Sequence, residues 1–308
     1  PNILNKTENG SPYPDEKHAD APLFNRAISG SYPPASTIKP FLGLLGLEER
    51  AIDADTIIKD EGVFQINGEG RKYRGWKEEG HGEVNLHKAI VESSDVYFYE
   101  LASKLTIDKI SNFLSLFNFG KNTGIDLNNE SPSILPDRNW KLGNIGETWF
   151  VGDTVNMGIG QGYIAVTPIQ LASSVSAIAT KGKIFKPKLV ERLGDQDIEP
   201  ELLYSIELTK KENWETIEKS MIAVINSWNG TAHNLYKEGG LKIAGKTGTA
   251  QIKSLVDQEL TVQEEYKGIR EIEKNRDHAL FVSYGPLPNP NLTVVVIVEN
   301  GESGSSVA

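Results

Sequence analysis

The sequence predicts an α+β fold, on three observations. Helical spacing of apolar residues dominates the first two thirds of the 308-residue chain, and the last third changes to β-rich runs. Polar or Pro/Gly segments separate those late runs, as they do between antiparallel strands. Apolar residues make up 38% of the chain, with 29 glycines besides, so a chain of this length can bury a core without a disulfide or metal staple.

The elements follow in order. Residues 1–21, with Asn9-Gly10, Pro12, Pro14 and the charged Asp15–His18, read as a lead-in linker, and residues 22–308 as the folded domain. Ser36 is placed as the N-cap of a first helix whose apolar residues beyond Pro40 form its buried side. Gly43 and Gly46 in that helix imply close packing against another element. Residues 84–104 continue helical spacing with small and aromatic side chains. Thr167-Pro168 is an N-cap followed by Pro at the first helical position, opening a helix to about Gly182. Glu212–Trp228 is amphipathic, with Trp214, Ile217, Met221, Ile222 and Ile225 on one side. Strands are predicted at Leu241–Ala244, Ala279–Tyr284 and Leu292–Val298, and the charged stretch Val256–Asp277 reads as a solvated loop or hairpin extension. There is no internal repeat.

Net charge is −10, which argues against a general nucleic-acid or anionic-membrane surface. The absence of Cys removes disulfides, Fe–S clusters, thiolate zinc and a cysteine nucleophile together. The longest apolar runs, Phe41–Leu47 and Val294–Val298, are far short of the ~20 residues that span a bilayer. A start without Met and an end in Gly301–Ser306 read as a piece of something longer.

Three motifs carry chemistry. In Ser36-x-x-Lys39 the two side chains share a helix face, so an amine can reach a hydroxyl, and a serine needs such a base to become a nucleophile. That base works only if burial or a nearby cation lowers its pKa. A chain of this length contains about one Ser-x-x-Lys by chance, so the pair is not diagnostic alone. In Lys246-Thr247-Gly248-Thr249, Lys246 and Gly248 point to one face of a strand and the threonines to the other. A Lys beside hydroxyls suits a substrate carboxylate, and Gly248 lets backbone or ligand lie close. For Ser-x-Asp/Asn there are two candidates, Ser93-Ser94-Asp95 and Ser227-Trp228-Asn229. The second reads as a helix C-terminus running into the Asn229-Gly230 turn.

In that order, Ser-x-x-Lys, Ser-x-Asp and Lys-Thr-Gly approximate the signature of penicillin-binding proteins and class A β-lactamases. The flanking text is closer still: Tyr32-Pro33-Pro34-Ala35, Gly152-Asp153-Thr154, Gly158-Ile159-Gly160-Gln161-Gly162-Tyr163, Thr167-Pro168-Ile169-Gln170, Gly230-Thr231-Ala232-His233 and Glu299-Asn300-Gly301. From about residue 22 to its end the chain resembles the transpeptidase domain of class B penicillin-binding proteins, the elongation branch most of all. The resemblance implies an antiparallel sheet flanked by helices plus an all-helical subdomain. It implies a catalytic set of Ser36 as nucleophile, Lys39 as base, Ser93 as proton relay, Asp95 in the third motif position and Lys246 beside Lys39. Thr247, Gly248 and Thr249 would hold the substrate carboxylate, and the N–H groups of Ser36 and Thr249 would form an oxyanion hole. Implied partners are peptidoglycan stem peptides, β-lactams and a membrane glycosyltransferase of the elongation complex, at the periplasmic face of the inner membrane; nucleic acid and cofactors are not implied.

Two departures bear on the site. Asp95 stands where most of the superfamily has Asn, and an ionised Asp cannot donate, so pairing with a lysine is expected instead. Some relatives hold zinc near the site with carboxylate, His and Cys ligands. Here His81 remains, but Gly75 and Ser94 stand where an Asp and the Cys are expected, so no metal is expected and His81 is given a structural role. Two rival readings remain open: a serine β-lactamase and a β-lactam-binding sensor domain. The first needs a Glu-x-x-Leu-Asn segment, whose nearest match, Gly124-Ile125-Asp126-Leu127-Asn128, has Gly in place of Glu. A dinucleotide site at Gly158–Gly162 fails for want of Gly-x-Gly-x-x-Gly between strand and helix.

Overall fold

The computed structural model describes residues 23–252 and 275–308; the predicted lead-in and most of the charged stretch from Val256 lie outside them. A single turn, α1 (Arg26–Ser29), leads to a 3-10 turn over Ala35–Ile38 that runs straight into α2 (Lys39–Glu48). Ser36 is therefore inside the turn and not its N-cap; Pro34 holds that position, without a side-chain cap. Every residue of α2 from Lys39 to Gly46 is buried, as expected of a helix apolar on all sides. The predicted close packing is present. A Cβ on Gly43 would stand 2.9 Å from Leu86 Cδ1, and one on Gly46 3.0 Å from Ile52 and Leu101.

Four short strands follow: β1 (Ile58–Asp60), β2 (Val63–Gln65), β3 (Lys72–Arg74) and β4 (Gly82–Val84), paired antiparallel as β1–β4 and β2–β3. Sequence patterning did not reveal them, because three residues are too few to show alternation. The helical stretch predicted over 84–104 is two helices, α3 (Leu86–Val91) and α4 (Asp95–Lys104). Asn85 caps the first by accepting from Lys88 N–H, and Ser94 caps the second by accepting from Tyr97 N–H. The break is at Ser93, whose φ of 59° no right-handed helix tolerates.

Helices α5 (Ile107–Ser115), α6 (Arg138–Ile145), α7 (Val151–Met157) and α8 (Pro168–Ala179) come next. The last opens on the predicted Thr167 cap, with Gln170 returning a bond to the Thr167 N–H. Short strands β5 (Lys183–Phe185), β6 (Arg192–Leu193), β7 (Gln196–Asp197) and β8 (Leu202–Ser205) pair as β5–β8 and β6–β7. Then comes α9 (Glu212–Asn226), which buries Trp214, Ile217, Met221 and Ile225 as its pattern requires.

The principal sheet is antiparallel, with β9 (Ala244–Ala250), β10 (His278–Gly285) and β11 (Leu292–Val298) in the order β11–β10–β9. The strand predicted at Leu241–Ala244 starts instead at Ala244 and carries the whole Lys-Thr-Gly motif. Leu241 is exposed, whereas the ladder to β10 pairs every residue of β9 with a partner, from Ala244↔Tyr284 to Ala250↔His278. Pairing, not side-chain propensity, decides that boundary. Helix α9 packs on β9, and α8 on β10 and β11. One core joins the sheet to the helices, with Phe41 edge-on to Phe117 and Phe119 and Phe117 reaching Trp214. Helices combined with antiparallel sheets make this the α+β architecture expected from the sequence. Among the described residues no helix is long and apolar enough to cross a membrane.

Candidate active site

The turn that carries Ser36 is held from both sides. Ala35 takes a left-handed φ of 48°, and its N–H donates to Gly160 O at 3.0 Å. Gly160, at φ 69°, has Ala35 O only 2.3 Å from where a Cβ would be, so glycine is required for this approach. On the other side β9 lies against the turn: a Cβ on Gly248 would meet Thr37 Cγ2 at 3.0 Å and Pro34 O at 3.4 Å. The glycine of Lys-Thr-Gly thus makes room for the turn that carries Ser36. Ser36 is half-buried, and its hydroxyl makes no hydrogen bond among the described residues.

Lys39, one turn on, is completely buried. Its ammonium donates to Ser93 O at 2.8 Å, Ser93 Oγ at 3.2 Å and Asp95 Oδ1 at 2.7 Å. Helical spacing sets the starting direction of this side chain, but a carboxylate 56 residues away in sequence decides where the charge goes. Burial pushes the Lys39 pKa below the ordinary lysine value, and the Asp95 carboxylate opposes that push.

Ser93 reaches the site by a helix-ending device. The Ser94 N–H returns to Ala89 O at 3.0 Å, the long bond of a Schellman-type C-terminus on α3, which leaves Ser93 in the left-handed position usually given to glycine. Its hydroxyl lies between two lysines, 2.8 Å from Lys246 Nζ and 3.2 Å from Lys39 Nζ. Lys246 is completely buried on β9 and, unlike Lys39, has no carboxylate in contact among the described residues; it also donates to Thr247 O. Burial first, and then the charge of Lys39, push its pKa well below the ordinary value, against a weaker pull from Asp95. Two buried amines converging on one hydroxyl and one carboxylate form a set that can exchange a proton along Ser93.

The strand places Thr247 and Thr249 opposite Lys246 and Gly248. Thr247 Oγ1 is 2.8 Å from Thr231 Oγ1, and Thr249 Oγ1 weakly accepts from Gly304 N–H at 3.4 Å. Thr249 O accepts from Gln161 Nε2 at 3.3 Å, from outside the sheet. A strand residue points its N–H and C=O to the same side, so the Thr249 N–H also faces the open edge of β9. Ser36 is the second residue of a 3-10 turn, where the first N–H groups have no intrahelical acceptor.

All eight predicted site residues thus surround one location. Sequence reasoning missed four others. Gly160 and Gln161 brace the Ser36 turn and β9, Thr231 partners Thr247, and Trp76 donates its N–H to Asp95 Oδ2 at 2.9 Å and its Nε1–H to Ser93 O at 3.1 Å. The glycine-rich run Gly158–Gly162 was the available signal for two of them; nothing local marks Trp76. The competing Ser227-Trp228-Asn229 lies at the end of α9, with Ser227 as its C-cap and Asn229 bonded to Glu92.

The residues around His81 do not fit a zinc ion. Ser94 Oγ donates to Asp60 Oδ2 at 2.6 Å, and His81 Nδ1 lies 2.7 Å from the same oxygen. Gly75 offers no side chain, so two donors remain where zinc takes three or four, and those two are bonded to each other. Among the described residues no group of three or more His, Cys, Asp or Glu is placed to hold a metal.

Comparison with known proteins agrees with this geometry. Residues 3–308 match the family model described as the penicillin-binding protein transpeptidase domain. Peptidoglycan D,D-transpeptidase MrdA of Haemophilus influenzae is 40% identical over 291 residues, 93% of this chain and 44% of the relative. The chain therefore spans about half the length of the curated relatives it matches. Penicillin-binding protein 2 of Pseudomonas aeruginosa, solved in complex with WCK 5153, superposes with a TM-score of 0.83 at 38% identity, covering 95% of this chain and 62% of that one. Penicillin-binding protein 2 of Helicobacter pylori, solved in complex with MreC, gives 0.81 at 33% identity, covering 94% and 50%. With three motifs converging on one buried network and a family match along almost the whole length, the chain belongs to the penicillin-binding protein transpeptidase family.

Proposed function

We propose that residues 22–308, after a lead-in over 1–21, are the catalytic domain of a peptidoglycan D,D-transpeptidase of cell elongation, held at the periplasmic face of the inner membrane. The observation that carries this reading is the buried network of Lys39, Ser93, Asp95 and Lys246 beside the turn that presents Ser36. In this reading Ser36 Oγ attacks the carbonyl of the penultimate D-Ala of a stem peptide, and its proton passes to the neutral amine of Lys39. The C–N bond to the terminal D-Ala breaks, and the leaving amine takes a proton through Ser93. An amine of a neighbouring strand then attacks the acyl-enzyme, which forms the cross-link and frees Ser36. Thr247 and Thr249 hold the substrate carboxylate. The N–H groups of Ser36 and Thr249 hold the oxyanion, donors that are typically worth roughly 3–4 kcal/mol each.

β-Lactams imitate the acyl-D-Ala-D-Ala end and leave a slow ester on Ser36. A membrane glycosyltransferase of the elongation complex is the proposed partner, and the relative solved with MreC makes an MreC-type scaffold a second one. A β-lactamase reading is disfavoured because Gly124 stands at the position of the deacylating Glu and the nearby Asp126 carboxylate is taken by the Leu189 and Val190 N–H groups. The test is a mass spectrum followed over time after addition of a penicillin. One adduct per chain, persisting for minutes or longer, is expected; rapid repeated hydrolysis would instead make the chain a β-lactamase.

Asp95 gives a prediction with a definite sign. Its carboxylate raises the pKa of Lys39 against the push of burial, so the amine gives up its proton at a higher pH than it would without it. Asp95→Asn removes that pull, so the neutral amine becomes available at lower pH. The acid limb of the acylation rate against pH is therefore expected to move to lower pH in the variant. A limb that stays in place or moves upward would show that Asp95 does not govern the base.

A further inference from the structure

Beneath the middle motif lies a buried cluster that the mechanism above does not use. Asp60 ends β1, and His81 immediately precedes β4, its antiparallel partner, so the β1–β4 pairing brings the two side chains together. Asp60 is 2% exposed and takes three donors: Gly62 N–H at 2.8 Å on Oδ1, and His81 Nδ1 and Ser94 Oγ on Oδ2. An ionised carboxylate only accepts, so Nδ1 of His81 carries its proton. Burial raises the Asp60 pKa, and the three donors outweigh it, leaving the carboxyl below its ordinary value. Among the described residues His81 Nε2 is buried without a partner, and the ring's hydrogen bond there is the one to Asp60.

Ser94 stands between the two functional residues of its motif. Ser93 before it is held in a left-handed conformation that costs a non-glycine residue about 1–3 kcal/mol and persists only where the surroundings over-determine it. Asp95 after it opens α4. Trp76 meets the His81 ring edge-on at 5.5 Å while bonding both Ser93 O and Asp95 Oδ2. Asp60 at the end of β1 and Trp76 in the loop after β3 therefore hold the motif at Ser93, Ser94 and Asp95 in turn.

We propose that the Asp60–His81 pair is a positioning device for acylation: through Ser94 it holds Ser93 and Asp95 in register with the two lysines, by direct hydrogen bonds and without a metal. This rests on the transpeptidase reading, and it makes Asp60, His81 and Ser94 positioning residues, since none of them touches substrate. The acyl bond forms on Ser36 as before; what the cluster changes is how often Ser93 and Asp95 stand where Lys39 and Lys246 can use them.

The test uses the 308-residue chain and a labelled penicillin, with the acylation step and the binding constant resolved by stopped-flow, and thermal unfolding as control. Asp60→Ala removes the acceptor shared by the three donors, so it is expected to slow acylation tenfold or more while the binding constant stays within about twofold. Ser94→Ala is expected to do the same, and the double variant to lose no more than the worse single, because both cut one contact. Three results would overturn the proposal: either variant acylating within twofold of the parent, losses that match the fraction of unfolded protein, or additive losses in the double variant. A stoichiometric zinc in the purified chain, whose chelation slows acylation, would overturn its metal-free form. Failure of the transpeptidase reading is a different result, namely absence of labelling at Ser36 in the parent chain.

Discussion

Ser36→Ala is expected to abolish covalent labelling by penicillin while leaving the fold intact. The parent chain should gain one acyl mass and the variant none. The two halves of this prediction have separate physical grounds. Loss of reaction is complete because the acyl bond forms on Oγ itself. Ser93 is bonded between two amines, but it is only 6% exposed and is held in the interior of the network. Retention of fold is expected because the Ser36 hydroxyl has no hydrogen-bond partner among the described residues to lose. Substitutions away from caps, cavities and networks usually change stability by no more than about 0.5 kcal/mol. Intact-mass spectrometry with peptide mapping checks the first half, and thermal unfolding the second. An adduct on the variant at any other residue would move the nucleophile elsewhere.

Lys39→Met is expected to cost acylation about 10²–10⁴-fold, the usual worth of a general base. It should also destabilise the chain, for a reason that must be separated from catalysis. Lys39 and Asp95 form a buried ion pair at 2.7 Å, with side-chain exposures of 0% and 11%. Removing one member of such a pair leaves an uncompensated charge and typically costs about 3–5 kcal/mol. The control is Lys39→Met combined with Asp95→Asn. That double variant no longer buries a lone carboxylate, so its unfolding temperature should recover toward the parent, whereas its acylation should not. If acylation recovers with stability, Lys39 is a structural residue and the base lies elsewhere; Lys246 would then be the amine to test, since burial and the Lys39 charge both depress it.

The long elements were legible because they are long. Glu212–Asn226 and Pro168–Ala179 show several turns of apolar spacing and, in the second, a complete capping box, and both were predicted to within a few residues. The four strands between Ile58 and Val84 were not, since three residues carry no period. The break at Ser93 was also hidden. Residues 84–104 have helical spacing on both sides of it, and the left-handed turn depends on contacts with Asp60, Trp76 and Lys39, none of them local.

For the site, the order and spacing of the motifs pointed to the residues that the fold brings together, and sequence alone determined that Ser36 and Lys39 begin on one side of a turn and that Lys246 and Gly248 share a strand face. Those are consequences of backbone periodicity, which acts over three or four residues. Tertiary structure alone decided the electrostatics. It bonded the Lys39 ammonium to Asp95, brought Lys246 to a hydroxyl 153 residues away in sequence, and tied Asp60 and His81 to the middle motif through Ser94. The physical reason is that a buried charge takes whichever partner packing brings within about 3 Å, where low dielectric makes the interaction strong. That partner is set by how the helices meet the sheet, not by which residues are neighbours along the chain.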